Sequence, residues 1–155
     1  MLGIHMTNFS EEELIQRAFL RTASVMFGMW EEKGSSDTRL LLPPLIPDKF
    51  VKVGESVAGK EHREHVIPRN VICNQCHKMF EEGSSIESVA KFIRKHLKIV
   101  YISKEEQQKL DRGNQLNLRQ RMPDYWSFDN GGLYARLDAA KIEVNFYNKQ
   151  GVANA

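Results

Sequence analysis

The chain is poor in cysteine, in long apolar runs and in net charge. Two cysteines, Cys73 and Cys76, are too few for a disulfide scaffold. No apolar run approaches the roughly 20 residues of a bilayer-spanning helix, and no signal-peptide pattern opens the sequence. These absences are the pattern expected of a cytoplasmic protein with no membrane partner. A formal net charge of +2 over 155 residues identifies no partner by itself. Prolines number five, and three of them crowd into Pro43, Pro44 and Pro47. They exclude a helix and an inner strand there and predict an extended path over the core. Internal repeats and low-complexity stretches are absent.

What is present fits one globular domain: 41% apolar and 27% charged residues, at a length that can bury a real core. Residues 1–5 read as a vector leader, 6–150 as a single domain and 151–155 as a tail. Ser10-Glu11-Glu12-Glu13 is a capping-box start, and Leu14, Ala18, Phe19, Thr22, Val25, Met26, Met29 and Trp30 recur at helical spacing, so a helix runs to about Lys33. Phe50 to Val53 is expected to be a short strand and Val71 to Phe80 a helix. Ser84-Ser85-Ile86-Glu87 reads as a second capping box, opening a helix with Ile86, Val89, Ala90, Ile93 and Leu97 on one face. A strand, Ile99 to Ile102, comes at once after it. Ser103-Lys104-Glu105-Glu106 caps a further helix from about Lys104 to Arg112, closing against Gly113. A turn at 129–132, a short helix at 133–140 and a last strand from Ile142 to Tyr147 complete an α+β chain.

The densest chemistry lies in Glu61-His62-Arg63-Glu64-His65-Val66-Ile67-Pro68-Arg69. Two histidines and two carboxylates occupy five positions ahead of an apolar step and a stiffening proline. With the strand Ile99–Ile102 and the capped helix after it, this segment resembles the HNH, or ββα-metal (His-Me finger), nucleases. The resemblance implies a helical domain built around a ββα-metal hairpin-plus-helix, with a long N-terminal helix and a C-terminal strand. It further implies a metal-dependent endonuclease that hydrolyses phosphodiester bonds of DNA, or of RNA, with one divalent ion, Mg or similar. Glu64-His65-Val66-Ile67-Pro68 matches the family's opening, which makes His65 the general base and Glu64 a metal ligand. On the helix after the second strand, Gln107 and Asp111 share one face at i, i+4, where many members carry two histidines. Asp111 would be the second metal ligand, with Gln107 assisting catalysis. The departures are the missing helix histidines, an unplaced loop Asn for which His96 is the stand-in, and a long insert, Arg69 to Lys98, between the two halves.

Cys73-Asn74-Gln75-Cys76-His77 offers two thiolates and an imidazole at zinc-knuckle spacing. Structural zinc on Cys73, Cys76 and His77 stands beside two small buried residues as its reading. From Lys91 to Arg121 nine Lys or Arg face three acids, a local +6 that leaves −4 for the rest. Lys91, Arg94, Lys95, Arg119 and Arg121 are therefore candidate nucleic-acid contacts, alongside the plainer reading of solvated helix faces. Trp126 among nearby arginines could stack on bases, but packing is the expectation. The rival to a nuclease is a non-catalytic module of the same shape that binds nucleic acid or a protein partner, as phage-type inhibitors of host defence do.

Overall fold

Helix α1, Glu11–Lys33, begins where the hydroxyl of Ser10 accepts from the Glu13 amide and the Glu13 carboxylate accepts from the Ser10 amide. It stops at Gly34, whose φ of 72° lets its N–H reach the Trp30 carbonyl. Its inner stripe buries Ala18, Phe19, Thr22, Ala23 and Met26, while Leu14 and Val25 turn outward. The computed structural model describes residues 5, 7–112 and 116–147. Most of the 1–5 leader, the 151–155 tail and Gly113 lie outside those residues.

The proline-rich stretch is not extended. It folds as turns between two single 3-10 turns, Thr38–Leu41 and Asp48–Phe50, with a cis Pro43–Pro44 peptide. Turns let Leu41 and Ile46 point into the core, which a straight path along the surface would not. Strand β1, Lys52–Ser56, and strand β2, His62–His65, come next. Helix α2, Arg69–Glu81, packs against α3, Ile86–His96. At α3 the cap is simpler than a capping box: Ser85 accepts from the Ser88 amide, because Ser88 and not an acid stands at the third helical position. Strand β3, Ile99–Ile102, runs straight into α4, Lys104–Asp111, where Ser103 and Glu106 do form the reciprocal box. Helix α5, Ala135–Ala139, and strand β4, Val144–Phe146, are shorter than the patterns at 133–140 and 142–147.

The four strands form one mixed sheet in the order β2-β3-β1-β4. β3 is antiparallel to β2, with Arg63 opposite Tyr101 and Glu64 opposite Val100, and parallel to β1. β4 closes the other edge, antiparallel to β1. Because β3 is an inner strand, Ile99, Val100 and Ile102 are all buried, the continuous apolar run expected of a doubly covered strand. The chain is thus a mixed α+β protein with a long N-terminal helix and a small sheet. Among the described residues no helix is long and apolar enough to cross a membrane.

Two features of the topology bring the His/Glu segment and α4 together. The pair α2–α3 is inserted between β2 and β3, so antiparallel strands 33 residues apart in the chain, from His65 to Lys98, meet without a tight turn; the Val66 amide still bonds to the Lys98 carbonyl at 2.9 Å. α4 then leaves the end of β3 and lies beside β2.

Candidate functional site

A cleft of about 490 Å³ opens beside β2, the start of α2, α4 and the segment at 119–120. Its walls include Glu64 and His65 from β2 and Gln107 and Asp111 from α4, which packs beside that strand. His62, Arg63, Arg69, Asn70 and Arg119 also line it.

His65 ends β2, and its Nε2 is buried with no hydrogen-bond partner. Burial, and then the nearby Arg63 and Arg69 guanidinium groups, push its pKa down to about 3. The ring is therefore neutral at physiological pH, with an unshared nitrogen. Glu64 points to the other face of the strand pleat, where both of its oxygens are held. His62 Nε2 lies 3.1 Å from Oε1, and Arg136 Nη1 donates to Oε2 at 2.9 Å. On α4 the Gln107 amide donates to Asp111 Oδ2 at 2.8 Å, and the other Asp111 oxygen has no donor among the described residues.

Arg136, one of the arginines interleaved with the tail aromatics and so a candidate phosphate contact, is instead buried and organises this region. Its guanidinium is fully buried and donates to the Leu118 carbonyl (2.9 and 2.5 Å), the His65 carbonyl (2.6 Å) and the Glu64 carboxylate. It thereby ties α5 to the end of β2 and to the 118–119 segment. A buried cation survives only when paired and fully hydrogen-bonded, and this one is both. Arg63 is also committed, gripping Asp48 through two bonds of 2.8 and 2.6 Å. Both Arg63 and Arg69 belong to the His/Glu motif itself, so their place in the cleft was open to a reader of the sequence.

The expected nucleic-acid contacts divide. Arg119 lines the cleft. Lys91 and Arg94 instead lie on a separate groove between α1 and α3, and Arg94 is clamped on Glu12 at 2.6 and 2.7 Å. Lys95 is exposed on the same helix. Arg121 folds back on Asp124 and the Leu116 carbonyl.

Cys73 and Cys76 are buried in the core on α2, where desolvation raises both thiols, Cys73 to about 11. His77 turns away to the Ser36 hydroxyl at 2.6 Å, so the three do not meet at one point. His96 is buried beside Phe92 and Phe128, with Nδ1 2.8 Å from the Phe92 carbonyl, and is not part of the cleft. Trp126 packs on Phe128 and donates to the Gly132 carbonyl.

Among the described residues no three His, Cys, Asp or Glu side chains converge into an all-protein metal cage. A magnesium-like cation takes one or two carboxylates and completes its shell with water and substrate phosphate oxygens. Of the two expected ligands, Asp111 keeps one oxygen without a donor among the described residues, while both Glu64 oxygens are already engaged. Comparison with protein-family models, curated proteins and solved structures returned no match.

Proposed function

We propose that the chain is a divergent HNH-type endonuclease that hydrolyses phosphodiester bonds of nucleic acid, DNA in the first instance, in this cleft. The observation that carries the reading is that Glu64 and His65 of β2 and Gln107 and Asp111 of α4 line one cleft, with α4 following the strand that pairs antiparallel to β2. The two carboxylates would hold the divalent ion, which when bound supplies positive charge at the phosphate.

The residues divide the remaining work. His65 takes a proton at Nε2 from the attacking water as the new P–O bond forms, while the bond to the leaving oxygen breaks with its electron pair. Burial is the first cause of the low His65 pKa and keeps Nε2 from solvent, so this role requires the ring to open onto the cleft when substrate binds, with an anionic phosphate offsetting the nearby arginines. Arg136 fixes the Glu64 carboxylate and the backbone at His65, so neither needs to reorganise during reaction. Gln107 orients Asp111.

A second reading rests on Glu64. With both oxygens already engaged by His62 and Arg136, the same cleft suits a module that grips a phosphate backbone without cutting it. Incubating supercoiled plasmid with the purified chain and Mg, Mn or Ni, beside His65→Ala, separates the two. The nuclease gives metal-dependent nicking that falls by about 10²–10⁴ in the variant. Binding with no cleavage at any metal leaves the module.

A further inference from the structure

The charges around the cleft do not cancel evenly. Arg63 is neutralised by Asp48, and Arg136 by Glu64. Among the described residues Arg69 bonds only to neutral oxygens, the Thr38 carbonyl and hydroxyl at 3.3 and 3.4 Å. Asp37, next to Thr38, is taken up by Arg39. The Arg119 side chain is exposed and has no partner among the described residues.

A hydrogen bond ties together the backbone segments that carry these two arginines, in a cleft where Asp111 also presents a carboxylate. Asn70 Nδ2 donates to the Gln120 carbonyl at 3.1 Å, joining the residue after Arg69 to the residue after Arg119. Both arginines line the cleft. Two guanidinium groups lining one cleft, neither paired with a carboxylate among the described residues, favour an anion there. No Phe, Tyr or Trp is among the described lining residues, so the surface offers charge, amide and imidazole groups and no large ring as a stacking platform.

Building on the reading of this cleft as a phosphodiester site, we propose that Arg69 and Arg119 form a second phosphate subsite beside the reacting one, so that the substrate is a polynucleotide backbone and not a mononucleotide or other small phosphate ester. The subsite takes a neighbouring phosphate of the same strand and leaves the bases unread. Affinity then depends on salt and little on sequence.

The test uses the full chain, a short labelled DNA duplex and EDTA to suppress cutting, with binding read by fluorescence polarisation across a salt series. Arg69→Gln/Arg119→Gln is expected to flatten the log–log salt slope by about 1.8, the release expected from two phosphate contacts. Arg69→Lys/Arg119→Lys keeps most of the slope, and Arg94→Gln, outside the cleft, leaves it unchanged. Thermal melting confirms that each variant folds. A nucleoside monophosphate competes far more weakly than the duplex. An unchanged slope in the Gln double variant, or a monophosphate competing as well as the duplex, overturns the subsite even where the wild type nicks plasmid. A wild type that neither binds duplex nor nicks plasmid overturns the underlying reading as well.

Discussion

Arg136 illustrates how much one side chain can determine. Five donors in a fixed fork satisfy a carboxylate and two backbone segments, and removing them strands those acceptors in a dry interior. Arg136→Met is therefore expected to cost about 3–5 kcal/mol in chemical denaturation, the usual loss when one partner of a buried ion pair is removed. The local pattern of arginines among tail aromatics does not reveal this role, because the partners lie 72, 71 and 18 positions away. His65 and Asp111, by contrast, each sit in a short sequence pattern, and both line the cleft. The histidines also set the acid response. Burial lowers the pKa of His65, His77 and His96 in the folded protein, so each is neutral there and protonated more readily in the unfolded chain. Stability is full above about pH 6.5, the ordinary histidine range, and falls as pH drops below it toward the folded values. His96→Phe, which keeps the packing on Phe92 and Phe128, should make the acid limb of a stability–pH curve shallower; an unaltered limb would contradict the assignment.

The elements differ in how openly the sequence declares them. α1 and α4 begin with reciprocal Ser–Glu caps, whose whole logic fits in four consecutive residues, and both start where the pattern places them. Ser103→Ala should cost about 1 kcal/mol and, because α4 carries Gln107 and Asp111, should also loosen the cleft. Reduced nicking beside a small drop in melting temperature is the expected pair of results. The proline-rich stretch was less readable. Proline rules out helix and inner strand, but whether the remainder runs straight or turns depends on where Leu41 and Ile46 find the core, which is a tertiary matter. A similar limit applies at Gly131. Its φ is 153°, and an added Cβ would overlap the Trp126 ring. Gly131→Ala should therefore unseat the aromatic cluster of Trp126, Phe128 and Phe92, with a blue or red shift in tryptophan emission as the readout.

At the scale of the whole molecule, the chain places an α2–α3 helical pair inside what would otherwise be a simple hairpin, and still returns β3 to the side of β2. That return is what gives the cleft its shape: one wall from β2, one from α4 and one from the start of α2. The order of these parts was visible in the sequence. The pairing of the strands across so long an insert, and the sealing of the cleft by the 118–120 segment through Arg136 and Asn70, were not, since they depend on long-range hydrogen bonds. The most direct check on the proposed chemistry is where a divalent cation settles. Titrating Mn into isotope-labelled protein and recording paramagnetic line broadening should erase signals from Glu64, His65, Gln107 and Asp111 first, and Asp111→Asn should abolish the effect. Broadening centred on any other surface, or unchanged by that substitution, would contradict a metal-assisted site between β2 and α4.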